Sequence, residues 1–243
     1  MKPPLDAYAS QYKPGAVTEI ENDLMLNWYP DRILRRLGGL RERSLLELGL
    51  GHGFTARKFH EHFTAHTVIE GSPEVTSIFR ANHAMPGLNL VEDYFETFVS
   101  TARFDVIVMG FILEHVDDPA LIVRRYRQML APGGRLFIAV PNAMSLNRRL
   151  GVALGKIEDI YELNANDHLF GHQRQFCLDT LKAMMTANGY TVPWVEGIYL
   201  KPLPLAHLKT LPDFEANLRA MCEVGVDFPE LCVGLLIEAV PNS

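Results

Sequence analysis

The chain is short of cysteine, of long apolar runs and of positive charge, and each shortage removes a class of protein. Its three cysteines, Cys177, Cys222 and Cys232, leave an odd thiol and show no Cys-x-x-Cys spacing. Neither a disulfide framework nor structural zinc is therefore expected, and no metal is assigned. No uninterrupted apolar run approaches the roughly 20 residues of a membrane helix. The opening Met1-Lys2-Pro3-Pro4-Leu5-Asp6 is not followed by the apolar stretch of a secretory leader. A cytoplasmic location and no membrane partner are the expectation. With 23 basic and 29 acidic residues the formal net charge is −6, which repels a phosphate backbone unless the basic groups gather on one face. The dense basic pairs, Arg35-Arg36, Arg124-Arg125 and Arg148-Arg149, read as solvated helix faces, so no nucleic acid is expected as a partner. Repeats and low-complexity tracts are missing as well.

What is present is a rhythm. The 243 residues allow one large domain with appendages. Residues 1–43 are mixed and aromatic, with Tyr8, Tyr12, Trp28 and Tyr29 spread over two short helices, the second at about 27–38. From Ser44 onward, strand and helix alternate. Strands are expected at 44–48, 66–70, 88–91, 104–109 and 135–140, with helices near 54–63, from Ser72-Pro73, and near 119–130. Ser72-Pro73 is an N-cap followed by proline in the first turn, and Phe104-Asp105-Val106-Ile107-Val108-Met109 has the branching of an interior parallel strand. Such alternation predicts a parallel sheet covered on both faces, because each right-handed crossover needs a helix to return the chain.

The last third departs from this pattern. Residues 142–172 form a polar excursion with a helix around Ser145–Leu154, a length that is uncommon unless it serves as a lid or binding segment. A helix near 178–188, strands at 191–200 and 231–240 and a helix near 213–224 follow. The expected fold is thus α/β: a doubly wound, mostly parallel seven-stranded sheet with an antiparallel edge strand and helices on both faces. It carries an N-terminal helical cap over 1–43, a core over 44–141, a lid-like insert over 142–177 after the fifth strand, and a completion of the same core over 178–243.

The sharpest local signal is Glu47-Leu48-Gly49-Leu50-Gly51-His52-Gly53, three glycines at alternate positions between a strand and a helix. Glycine there permits a sharp turn and the close approach of a ligand. Glu70 ends the next strand, where an acid can bond both hydroxyls of a ribose. A dinucleotide loop of the form GxGxxG needs glycine or alanine at position 54, which is Phe54, and no Gly-Lys-Ser/Thr follows as in a phosphate loop. A nucleoside without a pyrophosphate is the better ligand, and a nicotinamide dehydrogenase is disfavoured.

The ordered set Leu46–Gly53, Val68–Ser72, Phe104–Val116 with its ending Phe-Ile-Leu-Glu-His-Val, and Leu130–Asn142 reading Leu-Ala-Pro-Gly-Gly-Arg-Leu-Phe-Ile-Ala-Val-Pro-Asn resembles class I S-adenosylmethionine-dependent methyltransferases. It is similar to the small-molecule enzymes of the ubiquinone-biosynthesis O-methyltransferase type. The resemblance implies a Rossmann-like core over 44–141 that binds S-adenosylmethionine. It implies that Gly49, Gly51 and Gly53 lie against the methionine part, with Glu47 near its amino group, that Glu70 holds the ribose with Gly71 and Ser72 lining the pocket, that Asp93 and Tyr94 cradle adenine, and that Gly110 contacts the cofactor through its backbone.

Methyl transfer from a sulfonium is dominated by positioning, and a base is needed only where the acceptor loses a proton. The candidates are His115, after the fourth strand, and His168 and His172 in Asn166-Asp167-His168-Leu169-Phe170-Gly171-His172-Gln173-Arg174, where Asp167 could orient a histidine. The His-x-x-x-His spacing alone does not make a metal site. Arg174 could bind an anionic acceptor group. Tyr12 is the first aromatic candidate to face the sulfonium charge, and Trp28, Tyr29, Asn142 and Arg174 are the expected acceptor-side residues. The expected function is methylation of oxygen or nitrogen on a small metabolite, with a homodimer as the assembly considered. Nucleic-acid or protein methylation and a non-catalytic cofactor-binding module are the alternatives.

Overall fold

A computed structural model describes residues 5–6, 20–38 and 43–242. The elements in chain order are α1 (Ile20–Leu37), β1 (Ser44–Leu48), α2 (Phe54–His60), β2 (Ala65–Glu70), α3 (Pro73–Asn82), β3 (Leu88–Glu92), β4 (Phe104–Gly110), α4 (Pro119–Arg127) and β5 (Leu130–Pro141). They continue with α5 (Leu146–Ala153), α6 (Ala165–Leu169), α7 (Leu178–Ala187), β6 (Tyr190–Ile198), α8 (Leu205–Leu208), α9 (Phe214–Gly225), a 3-10 turn at Pro229–Leu231 and β7 (Gly234–Pro241).

The seven strands form one sheet in the order β3-β2-β1-β4-β5-β7-β6. The first five pair in parallel, while β7 runs antiparallel to both β5 and β6. The reversed strand is therefore second from the edge, with β6 outside it. The order turns back between β1 and β4, and ligands of open α/β sheets bind beyond the carboxyl ends of the strands at such a reversal.

Strand residues alternate strictly between two cores, as the two-residue period of a strand requires. Leu46, Ile107, Met109, Leu136 and Ile138 pack with Tyr126 of α4 and Leu181 and Met185 of α7. Leu45, Val106, Val108, Phe137 and Ala139 pack with Tyr29 and Ile33 of α1, Phe59 of α2 and Leu218 of α9. All ten strand residues are almost wholly buried, and each of the larger side chains, all but Ala139, stabilises the fold by about 1.5–3 kcal/mol. Two ion-paired glutamates anchor α1 to the far side of the sheet: Glu196 accepts from Arg32 at 2.6 and 2.5 Å, and Glu238 accepts from Arg36 at 2.7 Å and Arg135 at 3.0 Å.

Three boundaries differ from expectation. The first helix starts at Ile20 and runs through Pro30; the missing N–H removes one hydrogen bond, and the buried Tyr29, Pro30 and Ile33 hold the helix together across it. The strand expected from Arg135 begins at Leu130, with a register shift opposite Phe104 and Val106 that accommodates the Pro132-Gly133-Gly134 stretch. The polar segment around His168 contains a short helix, α6, closed by a reciprocal cap between Asn164 and Asp167. No helix among the described residues is long and apolar enough to cross a membrane.

Candidate functional site

At the carboxyl edge of β1 the chain turns through Gly49, Gly51 and Gly53, whose φ angles of 81°, 49° and 72° lie in the left-handed region. At two of them space is short as well. A Cβ on Gly49 would stand 2.6 Å from the Ile112 side chain, and one on Gly53 would stand 2.5 Å from the Phe79 ring. The turn is fixed to the next strand by two kinds of bond. Gly49 N–H donates to the Ile69 carbonyl at 2.9 Å, and Leu50 N–H donates to Glu70 Oε2 at 3.0 Å. Glu70 Oε1 accepts from Ser72 N–H at 2.8 Å, so the acid and the turn hold each other in place. Burial pushes the Glu70 carboxyl up, and the backbone donors offset only part of that rise.

The expected nucleoside residues do gather here. An ideal Cβ on Gly71 would lie 3.5 Å from both the Asp93 carbonyl and the Tyr94 ring, and 2.6 Å from Leu5. Asp93 is committed to its own turn, with Oδ1 accepting from Tyr94 N–H and the Thr97 hydroxyl at 2.7 Å each, while Tyr94 is exposed. Ser72 caps α3 through Val75 N–H and donates its hydroxyl to Asp6 Oδ1 at 2.6 Å. Leu5 and Asp6 thus belong to this corner although nothing in their sequence context marks them. Tyr12 lies outside the described residues.

Glu47 is not aimed at open space. It is almost wholly buried, bonded through Oε1 to the Thr55 hydroxyl and through Oε2 to His66 Nε2 at 3.2 Å, so it ties β1 and β2 to the first turn of α2. Tyr29 is equally buried, and its hydroxyl fills the space over Gly110: a Cβ there would be 2.0 Å from that oxygen. Burial first, and then the nearby Glu47 and Glu114, push the Tyr29 hydroxyl well above the usual phenol range. Beyond Gly110, Phe111 adopts a φ of 57° and meets the Tyr29 ring edge-on at 5.9 Å. A left-handed aromatic residue stores backbone strain at the end of β4.

The insert returns to this same edge. Gln173 donates to the His115 carbonyl, and Arg174 donates to the carbonyls of Leu113, Val116 and Asp117. The Arg174 guanidinium is therefore committed to the loop after β4. This docking sets His172 beside His115, with ring centroids 4.8 Å apart and nearly perpendicular. His172 Nδ1 meets Asp167 Oδ1 at 2.9 Å. His168 stands exposed on α6. Beneath them lies Glu114, wholly buried, with no hydrogen-bond partner for either carboxylate oxygen among the described residues. One ligand atom each from Glu114, His115 and His172 lie within 4.8 Å of one another. Burial pushes Glu114 up to about 7. Glu114 was given no role from sequence, since nothing in Leu-Glu-His reports that its carboxyl is sealed and unpaired.

Two expected acceptor-side residues are engaged elsewhere, one by hydrogen bonds and one by packing. Asn142 is buried, donating to the carbonyls of Pro229, Glu230 and Cys232 and accepting from Met144 N–H at 3.0 Å; it clasps the end of β5 to the turn before β7. Trp28 is half-buried against the α1 core, with its Nε1 lacking a partner among the described residues. A cavity of about 690 Å³ lined by Arg103, Arg127, Gly133 and Asn242 opens at the opposite end of the strands, away from the glycine turn.

Residues 25–193 match the family model described as a methyltransferase domain. A ubiquinone biosynthesis O-methyltransferase of Serratia proteamaculans is 30% identical over 125 residues, 50% of each chain; the chain spans about half the length of the curated relatives it matches. Among solved structures, a chain of the complex between the Haloferax volcanii Trm112 methyltransferase activator and a methyltransferase superposes with a TM-score of 0.67 at 17% identity, covering 97% of this chain and 98% of that one. An S-adenosylmethionine-dependent methyltransferase of Mesorhizobium loti does so with a TM-score of 0.62 at 17% identity, covering 88% and 99%. At these identities the structures speak for the fold.

Proposed function

The chain belongs to the methyltransferase domain family, and from that premise we propose that it transfers a methyl group to an oxygen or nitrogen atom of a small-molecule acceptor. Its cofactor is S-adenosylmethionine, and the residues at the sheet edge fit that ligand. Each Glu70 oxygen has accepted one backbone N–H and keeps a further lone pair for a ribose hydroxyl. The left-handed glycines keep side chains off the turn. This glycine turn, locked to Glu70, is the observation that carries the reading.

In this reading Glu70 holds the ribose, Gly71 and Ser72 line its pocket, and Asp93 and Tyr94 flank the adenine. Gly49, Gly51, Gly53 and the Gly110 backbone lie along the methionine part. Glu47 acts one step back, by fixing Thr55 and His66. When bound, the cofactor supplies an electrophilic methyl group. His172, oriented by Asp167 as a base is oriented by a carboxylate, takes the acceptor's proton, and His115 beside it shapes the same wall. Tyr29 closes the site under the acceptor and keeps water away from Gly110. The names of the curated relatives and the net negative charge support a small, uncharged or protic acceptor over nucleic acid.

The test is turnover: incubation with S-adenosylmethionine and an extract of small metabolites, read as S-adenosylhomocysteine formed. His172→Ala is expected to lower the rate by ~10²–10⁴-fold, the usual contribution of a positioned base, while exposed His168→Ala leaves it near normal. An undiminished rate in His172→Ala would return the insert to a purely structural role.

A further inference from the structure

A wholly buried carboxyl group with no hydrogen-bond partner is costly, and natural folds rarely keep one without a use. Among the described residues Glu114 is the carboxyl group with both oxygens in that state. It stands at the carboxyl end of β4, and the groups that face it come from three elements. His115 and the backbone belong to its own loop, Tyr29 comes from α1, and Asp167, His172 and Arg174 come from the insert. Arg148 in turn faces Asp167, and Asp117 and Asp118 face Arg174. Arg174 is occupied by backbone carbonyls. Tyr29, driven upward by burial, stays a neutral phenol. The histidines are what remains for Glu114 to act on: His115 Nε2 is 4.0 Å from Glu114 Oε1, and the His172 ring is packed against His115.

We propose that Glu114 is a positioning residue for the transfer reaction, the second carboxyl group acting on His172, so that the imidazole already held by Asp167 shares its proton with Glu114. The inference rests on the reading of His172 as the base. The gap of up to 4.8 Å between these groups is one that a small rotation or a single bridging water spans. The energetics agree with the geometry. Burial alone would lower His172, but its hydrogen bond to Asp167 and the charge of Glu114 more than reverse this and raise it, while Glu114 is raised to about 7. Ionisable groups this close pass a proton between them, and their midpoints then belong to the pair. The acceptor's proton leaves its oxygen or nitrogen for the imidazole, and passes from there to the Glu114 carboxylate. The imidazole returns neutral and the buried carboxyl group is left uncharged.

The test needs no acceptor. The protein, labelled at its histidine rings and kept in EDTA, is titrated by NMR, with His172 assigned from the His172→Gln variant. In the native chain the His172 resonance is expected to titrate above the ordinary 6.5, with a second inflection from its partner. In Glu114→Gln the midpoint falls by about 1 pH unit, the lower end of what an opposite charge at this range produces, and the second inflection disappears. A His172 midpoint that stays in place or rises in Glu114→Gln overturns the proposal. Should Glu114→Gln not fold, the native titration decides: a single inflection at or below 6.5 is incompatible with a shared proton. Because the readout is the imidazole itself, absence of cofactor binding would sink the methyltransferase reading and leave this result standing.

Discussion

Glu70 has two tasks on one carboxylate. Its oxygens accept the N–H groups of Leu50 and Ser72, which shapes the glycine turn, and in the proposed reading its remaining lone pairs take the ribose hydroxyls. Glu70→Ala is accordingly expected to weaken S-adenosylmethionine binding by ~1–3 kcal/mol, the loss of hydrogen bonds to a charged group; calorimetry showing unchanged affinity would remove the ribose assignment. Gly110 offers a steric test at the same edge. An added Cβ would meet the Tyr29 hydroxyl at 2.0 Å, so Gly110→Ala is expected to destabilise the fold by about 1–3 kcal/mol, measured by thermal denaturation. An unshifted midpoint would mean that Tyr29 is free to move. Much of this corner was legible in the sequence, because glycine spacing and a strand-ending acid are local patterns. Glu47, Asn142 and Arg174 were harder to read. Their partners, Thr55 and His66, the turn at 229–232, and the carbonyls of 113–117, are fixed by packing of elements that the sequence does not place side by side.

At the scale of elements, the docking of the insert on the loop after β4 decides the geometry of His172, the proposed base. Arg174 spans three carbonyls there, and Asn164 and Asp167 close the short α6 between them. Arg174→Ala should loosen the docked segment while leaving the sheet intact, seen as faster amide exchange over 160–176 with unchanged protection in β4 and β5; equal exchange in both chains would show that Gln173 and packing suffice. The pH dependence belongs to this same contact. Glu114 is raised from 4.5 to about 7, so the folded chain holds that proton more tightly than the unfolded one, and the stability it confers is present below pH 4.5 and lost as pH rises towards about 7. His172, also raised, gives stability that is present below 6.5 and lost above its folded midpoint. Asp167 is lowered, despite burial, by its bond to His172, and its contribution is lost on acidification below the ordinary 3.8. Denaturant titrations should show stability falling from pH 5 to pH 8, less steeply in Glu114→Gln; a flat native profile would contradict the burial of an unpaired carboxyl group. Alternation made the parallel strands legible, whereas the reversed β7 lying between β5 and β6 depends on long-range pairing, and α6 was hidden because its helix is shorter than two turns and its signal is a cap.

For the molecule as a whole, the order β3-β2-β1-β4-β5-β7-β6 places the glycine turn, the strained Phe111 and the docked insert on one edge of one sheet, and the family match spans both the core and the whole of the insert. In the proposed reading the acceptor side draws on segments far apart in sequence, α1, the insert and the stretch after β6; α1 and that last stretch meet where Glu21 accepts from Tyr199 at 3.0 Å and Lys201 at 2.7 Å. No sequence motif names an acceptor there, since shape assembled from three distant segments leaves no local pattern. The central claim, that the edge holds S-adenosylmethionine, is tested most directly by titrating the purified chain with that cofactor in a calorimeter. Saturable binding of one cofactor per chain is the predicted result, and no binding heat at high micromolar cofactor would contradict it.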